Sequence, residues 1–534
     1  MKTIDTSIYD FPTIIERGYV YVDKTAQLYE LIRPDASSIY YLPRPRRFGK
    51  SLMISTLKAL FLGRRELFKG LAIEKTEWDW EKEVYPVVHL DMSKASASTV
   101  DEFKRLLSKM LSFICKDLDV PFDASASASE NFLTLLETLP KVAKRMNAES
   151  TGKYVLLIDE YDAPIAGLLD SDEGRAELPR MRKALHDFYV QAKAHCGDMR
   201  FLMVTGVSKF AKTSIFSAFN NPKDLTLDAR AADLLGYTHE ELETYFHEHI
   251  QAFADTNGLT YEGAFAELLS RYDNYQFSPE RLVRVVNPVS LGNALSNGVI
   301  RNYWEQTAGS TLILDALKAK NAAPIDFNAE FDVGALDAPD ALTAPTVALL
   351  YQGGYLTIDR RIDSETVALR IPNEEVRGSL YRGYMSSVFG KDFELDRFSL
   401  AARKTSAELF ADETGARFAA LLKTAFAKIP HEWLDKDEKE IKRYFLAFMV
   451  FARADVASEE QHSLGRPDSV VKTEKAVYIV EFKYGKSAEA ALAQCREKRY
   501  ADAYVADGRR VVYVGVNYDP AVRTIDAVRT EPAS

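Results

Sequence analysis

Tyr40-Tyr41-Leu42-Pro43-Arg44-Pro45-Arg46-Arg47-Phe48-Gly49-Lys50-Ser51-Leu52 is the stretch on which the fold of this chain turns. The apolar run Ile39 to Leu42 has the length and composition of a short buried strand. A turn-prone basic loop follows, and Gly49-Lys50-Ser51 then opens an amphipathic helix that runs from Leu52 to Leu62. Strand, loop, Gly-Lys-Ser and helix form the context in which a P-loop cradles phosphate. The first helical amides would face a nucleotide phosphate, assisted by the helix dipole. Lys50 would reach the β- and γ-phosphates, and Ser51 would hold Mg²⁺. The general pattern GxxxxGK[ST] asks for glycine at position 44. Arg44 stands there instead, and Pro45 stiffens the loop.

With 534 residues the chain is too long for one ordinary domain, and length alone suggests about three or four. An apolar fraction of 47% can fill sizeable cores. The formal charge of −10 has the wrong sign for a general coat on a polyanion, although local basic patches stay open. Cys115, Cys196 and Cys495 form no CxxC pair and read as ordinary thiols in a reducing compartment. No basic-then-apolar leader opens the sequence, and no apolar run approaches about 18 residues. A cytoplasmic location, away from membrane, is the expectation.

Downstream, Tyr85-Pro86-Val87-Val88-His89-Leu90-Asp91 reads as a second buried strand, followed by helices over Val100 to Asp117 and Ser129 to Arg145. In Lys153-Tyr154-Val155-Leu156-Leu157-Ile158-Asp159-Glu160-Tyr161-Asp162, five apolar residues end in two carboxylates. A buried parallel strand would deliver both to its carboxyl end, the Walker B arrangement. Asp159 would hold the Mg²⁺ shell and Glu160 would polarise the attacking water. Arg200 to Gly206 is a further strand, ending in Thr205 where a γ-phosphate sensor would lie. Lys209 and Lys212 follow closely; either could touch phosphate, but solvated loop lysines are the favoured reading.

These stretches resemble the bacterial and archaeal AAA-ATPase-like proteins. The resemblance rests on Tyr19 to Lys24, Arg44-Pro45-Arg46-Arg47-Phe48-Gly49-Lys50-Ser51 and Leu157 to Asp162. It continues through Tyr272-Asp273-Asn274-Tyr275, Asn287-Pro288-Val289-Ser290, Asn302-Tyr303-Trp304, Gly354-Tyr355-Leu356-Thr357 and Pro372 to Val376. Members carry the same Arg-Pro-Arg-Arg-Phe-Gly-Lys loop, so the resemblance makes Arg44 an expected residue. It implies an ATP site built from Arg44, Arg46, Arg47, Phe48, Gly49, Lys50, Ser51, Leu52, Asp159 and Thr205, with Tyr19 to Lys24 near its mouth.

In the middle of the chain, Thr238 is a candidate N-cap within a helix expected over Leu234 to Ala254. Residues 311–390 read as helices followed by a strand pair, Gly354 to Ile358 and Val367 to Ile371, with winged-helix-like spacing. Such modules bind DNA or mediate packing, and the residues favour neither. Tyr275, Tyr303, Trp304 and Tyr355 read as packing aromatics.

Near the carboxyl end, Gly465 to Val471 and Ala476 to Lys483 form a hairpin pattern. Asp468 and Glu481 can face each other across it. Glu481 and Lys483 are two apart and share a face. Two carboxylates and the Phe482 carbonyl make an oxygen cage for Mg²⁺, with Mn²⁺ as a substitute. The metal would activate water, and Lys483 would orient the nucleophile or neutralise the transition state. Glu459, on a helix before the hairpin, could complete the shell, and Gln494 could reach it from the following helix. The order Glu459, Asp468, Glu481, Lys483, Gln494 resembles the PD-(D/E)xK nuclease superfamily.

The expected fold is therefore α/β and multidomain: a P-loop ATPase domain (1–235), a helical lid (236–310), the winged-helix-like module (311–390), a helical linker (391–445) and a restriction-endonuclease-like domain (446–534). The resemblances imply an ATP-regulated, Mg²⁺-dependent nuclease acting on nucleic acid, DNA in the first place, with a homo-oligomer left open. The competing expectation is an ATP-driven switch or assembly platform whose carboxyl domain binds without cutting.

Overall fold

The computed structural model describes residues 1–534 except 148–149, 169–170, 208, 210–221, 305–329, 337–344, 390–414, 427–440, 443–444, 446–448, 450–454, 459–466, 474, 523 and 534. The chain divides into two compact units, 1–316 with 330–379 and 317–329 with 380–534. Among the described residues no helix is long and apolar enough to cross a membrane.

The first unit is built on a parallel sheet of five strands: β1 (Ile39–Pro43), β2 (Val87–Asp91), β3 (Tyr154–Asp159), β4 (Met199–Gly206) and β5 (Lys223–Asp224), in the order β2-β3-β4-β1-β5. Each of the six β3 residues is buried, as expected of a strand covered on both faces. Leu156 and Ile158 face a core shared with Leu107, Leu111, Phe132, Leu136, Leu185 and Phe188 from the helices Val100–Asp117, Ala128–Met146 and Asp172–Lys193. The first two helices match the sequence expectation. The third has no counterpart in it, because Pro179 and a charged run from Asp172 to Arg180 mask its apolar period. Thr99, Ser127 and Ser171 cap the three N-termini. The other sheet face receives the helix Lys50–Phe61, where Phe61 meets Phe201 of β4 at 5.4 Å.

Strand order positions the site. β4 lies between β1 and β3, with Leu42 opposite Thr205 and Ile158 opposite Val204. The loop after β1 and the carboxylates after β3 therefore flank the end of β4, at the carboxyl edge where open α/β sheets bind ligands.

Beyond the sheet, the helix His239–Asn257 carries a reciprocal capping box between Thr238 and Glu241. It starts five residues later than expected, because Gly236 turns at φ 84° and Tyr237 bridges to Val286. The helix Pro288–Asn297 is capped by Asn287. β6 (Glu330–Asp332), which precedes the helix Thr346–Gln352, and β7 (Thr357–Arg361) and β8 (Thr366–Arg370), which follow it, form an antiparallel sheet in the order β6-β8-β7. Gly354 and Tyr355, expected to open β7, belong to the preceding turn. Tyr275, Tyr303, Trp304 and Tyr355 are all buried, consistent with packing roles.

The second unit is a mixed five-stranded sheet: β9 (Asp455–Ser458), β10 (Ser469–Lys472), β11 (Ala476–Tyr484), β12 (Arg510–Asp519) and β13 (Thr524–Pro532), in the order β13-β12-β11-β10-β9. The expected hairpin is β10 with β11. β11 runs parallel to β12 across the helix Ala488–Glu497. That helix lies so close to β12 that a Cβ on Gly515, the partner of Glu481, would stand 2.2 Å from the Ala488 carbonyl oxygen. Before the hairpin, Asp455–Ser458 is a strand paired antiparallel to β10. Glu459 itself, Lys212 and most of the expected linker lie outside the described residues.

Candidate functional site

Gly49 stands at φ 94° and caps the helix Lys50–Phe61 with no side-chain hydrogen bond. A β-carbon there would be strained, which is why glycine serves. The first-turn amides have no intrahelical acceptor and no side-chain cap, the arrangement that suits an anion. They open onto a cleft of about 420 Å³. Arg46, Arg47, Phe48, Gly49, Lys50, Ser51 and Leu52 line it, with Asp159 and Glu160. Val20, Tyr21, Val22 and Lys24 form part of the opposite wall, as the sequence expected of that segment. Lys24 is pinned there by bonds from its ammonium to the Asp233 carbonyl at 2.8 Å and to Glu241 at 2.6 Å.

Lys50 is buried, and its ammonium donates to the carbonyls of Arg44 (2.9 Å) and Pro45 (3.1 Å). Arg44 is the first correction to the expected ligand set. It is 2% exposed and turned away from the cleft. Its guanidinium donates to the carbonyls of Pro43 (3.0 Å), Leu225 (3.4 Å), Thr226 (2.9 Å) and Ala231 (3.0 Å) and lies 4.3 Å above the Phe277 ring. Burial pulls its pKa down to about 10. Arg44 braces the loop from beneath. Phe48 anchors the loop from the side, edge-on to Tyr275 (4.7 Å) and Phe277 (5.2 Å). Arg47, by contrast, is exposed and held at φ 71°.

Asp159 is 3% exposed, and its Oδ1 accepts from the Thr205 hydroxyl at 2.6 Å and from the Glu160 amide at 3.0 Å. Thr205 is fully buried behind Asp159 and does not line the cleft, so its contact with the site passes through that carboxylate. Glu160 takes φ 50°, a left-handed conformation that costs a non-glycine residue roughly 1 kcal/mol. The turn is locked by Tyr161 N–H donating to the Thr205 carbonyl (3.0 Å) and Ala163 N–H to the Glu160 carbonyl (2.9 Å). Burial holds the Glu160 carboxyl above the usual carboxylate range, partly offset by the charge of Lys50. Lys209 is a second correction: it is 2% exposed, and its ammonium pairs with Asp224 at 2.8 Å rather than standing in solvent.

In the second unit Asp468 directly precedes β10, one position beyond the pair Ser469 and Val480, which brings it opposite Glu481. Asp468 Oδ2 accepts from the Phe482 amide at 2.7 Å. Glu481 is 2% exposed. Its Oε1 accepts from the Lys483 ammonium at 3.1 Å, while Oε2 is buried with no hydrogen-bond partner among the described residues. Lys483 also donates to the Phe482 carbonyl at 3.0 Å. Burial, with the charge of Asp468 beside it, pushes the Glu481 pKa up to about 7. Gln494 hydrogen-bonds Tyr500, whose hydroxyl feels the charges of Glu481 and Asp468.

One residue of this corner is missing from the sequence reading. Lys442, in a helical turn, places its ammonium 2.5 Å from Asp468 Oδ1. The only sequence signal was the buried spacing Ile441, Phe445, Met449 around it. Among the described residues, no three His, Cys, Asp or Glu side chains gather closely enough to hold a metal. The donors that fit one are Asp468, Glu481 and the Phe482 carbonyl, and the orphaned Glu481 Oε2 is what a cation would satisfy.

Residues 5–216 match the family described as "Predicted AAA-ATPase". Residues 436–528 match the PD-(D/E)XK nuclease superfamily. An Azotobacter chroococcum mcd 1 protein, described as "Uncharacterized protein in vnfD 5'region", is 30% identical over 538 residues, covering 98% of each chain. Strands β1 to β4 of the P-loop sheet and the carboxyl-terminal hairpin lie within the two matched segments, and the relative is similar from end to end. The chain belongs to the predicted AAA-ATPase family, in a form that carries a PD-(D/E)XK nuclease superfamily domain at its carboxyl end.

Proposed function

We propose that this chain is an ATP-regulated nuclease of DNA: an Mg²⁺-ATP-hydrolysing P-loop unit coupled to a metal-dependent phosphodiesterase. The observation that carries the reading is the corner around Glu481. A buried carboxylate with one unpaired oxygen lies beside a second carboxylate and a lysine, on rigid strands. Burying such an oxygen without a partner is costly, and a divalent cation removes the cost.

At the first site the open amides of the Lys50 helix would bind phosphate oxygens, and Lys50 would leave the loop carbonyls for them. Ser51 and Asp159 would hold Mg²⁺, which supplies charge neutralisation when bound. Thr205 fixes the rotamer of Asp159. Glu160, raised in pKa and aimed into the cleft, would hold the proton of the attacking water. At the second site Asp468, Glu481 and the Phe482 carbonyl would hold Mg²⁺ or Mn²⁺, which supplies an activated water. Lys483 would neutralise charge on the scissile phosphate. The five-part domain division given by the sequence belongs to this proposal, as does a cytoplasmic location, supported by three cysteines that are all free thiols.

The test is incubation of the full chain with plasmid and oligonucleotide substrates, Mg²⁺ or Mn²⁺, and either ATP or none. Scission that depends on Asp468 supports the reading; no scission in any nucleotide state overturns it. A second reading has its own observation. Each carboxylate already has a lysine partner, and no third acidic donor stands nearby among the described residues. That favours an ATP-driven switch whose carboxyl-terminal unit binds nucleic acid without cutting, and predicts binding without scission in the same assay.

A further inference from the structure

We propose that Lys442 is the built-in counter-ion of the carboxyl-terminal carboxylate pair, the cation that a divalent metal must displace from Asp468. It thereby sets how much metal the site requires. This rests on the reading that Asp468 and Glu481 hold a metal, and it adds a residue that reading does not contain.

The placement of Lys442 is fixed by packing. Ile441, Phe445 and Met449 recur at intervals of four and are all buried, so they form one face of a helix. Phe445 meets Phe482 edge-on at 5.1 Å, and also meets Phe418 (6.2 Å), which stacks on Tyr478 of β11 at 4.8 Å. Phe482 is the residue whose amide donates to Asp468 Oδ2. One side chain contact thus ties the Lys442 segment to the strand that orients Asp468. The ammonium ends 2.5 Å from Oδ1, with both side chains largely buried, at 19% and 12% exposure.

Charge counting gives the consequence. Asp468 and Glu481 contribute two negative charges; Lys442 and Lys483 contribute two positive ones. Among the described residues, and with both carboxylates ionised, these four charges cancel, so a divalent cation meets little net attraction from them and must also break an ion pair. Lys483 bonds Glu481 Oε1 and the Phe482 carbonyl, leaving Oε2 unsatisfied. Lys442 covers the facing Asp468 oxygen. Both lysines thus sit on oxygens that the metal would take, Lys483 on the Phe482 carbonyl and Lys442 on Asp468 Oδ1. Close charges in a partly buried site interact by several kcal/mol at most, enough to move an affinity by one or more powers of ten.

The experiment is Mn²⁺ titration of the nucleotide-free full chain, with free Mn²⁺ followed by electron paramagnetic resonance. It compares wild type with Asp468→Asn, Lys442→Met and Lys442→Gln, each checked for a cooperative thermal transition. The expected result is Mn²⁺ uptake that Asp468→Asn removes and that both Lys442 variants tighten by about tenfold or more. Either folded variant suffices. Unchanged or weaker Mn²⁺ binding in the folded Lys442 variants overturns the proposal while the metal site stands. Absence of Asp468-dependent uptake in every protein overturns the metal site itself, and the proposal with it.

Discussion

The two charged corners of this chain store their lysines in opposite ways. In the P-loop cleft Lys50 rests on neutral backbone carbonyls, and the carboxylate of Asp159 is satisfied by a hydroxyl and an amide. Cation and anion are held separately, with uncapped helix amides nearby. In the carboxyl-terminal corner each carboxylate is paired to an ammonium, Asp468 with Lys442 and Glu481 with Lys483. The first arrangement keeps positive charge available for an anionic ligand. The second keeps negative charge covered until a stronger cation takes it. Where a lysine is parked distinguishes a site prepared for phosphate from one prepared for metal.

The largest expected effect separates binding from chemistry in the first corner. Glu160→Gln should retain ATP binding while hydrolysis falls by about 10²–10⁴-fold, measured by nucleotide binding and phosphate release on the same sample. Normal hydrolysis would remove Glu160 from the role of base. Lys50→Ala should weaken ATP binding and hydrolysis together by about 10²–10³-fold, because it removes the buried ammonium from the first turn, where the phosphates would bind. If hydrolysis survives that change, the contrast between the two corners loses its first half.

The second corner is sharpened by pH. The folded Glu481 titrates near 7 against an ordinary 4.5. A raised carboxyl pKa means that the folded state holds the proton. The associated stability is complete below about 4.5 and is lost as pH rises through about 7. In metal-free buffer Glu481→Gln escapes that loss. It should be more stable than wild type by about 3 kcal/mol at pH 8 and close to it near pH 5, read from denaturant unfolding at both pH values. Equal stability at pH 8 would mean that Lys483 already satisfies the carboxylate.

The smallest effect concerns Arg44. Arg44→Met should cost about 1–3 kcal/mol of stability, since buried carbonyls lose their donor, while the KM for ATP in the folded fraction changes little. A selective rise in KM with unaltered stability would return Arg44 to the nucleotide ligands.

Much of this was legible because the signals are local. An apolar run ending in Asp159-Glu160, and Gly-Lys-Ser at a helix start, are each complete within about ten residues. The hairpin pattern likewise put Asp468, Glu481 and Lys483 in one corner. The misreadings involve partners distant in sequence. In sequence alone Arg44 looks like any loop arginine beside a phosphate motif; its carbonyl partners at Leu225, Thr226 and Ala231 come from the segment that follows β5, 181 to 187 residues later. Lys209 looks solvated until the fold brings Asp224 to it. Lys442 stands 26 residues before Asp468, and no spacing rule links them; only the contact of Phe445 with Phe482 does.

The most direct measurement is strand scission of a labelled DNA duplex by the full chain in Mg²⁺ or Mn²⁺, with and without ATP, comparing wild type, Asp468→Asn and Lys50→Ala. The account predicts cleavage that Asp468→Asn abolishes, and that responds to ATP only where Lys50 is intact. Intact duplex in every lane, at metal concentrations that saturate the wild-type protein, would contradict it.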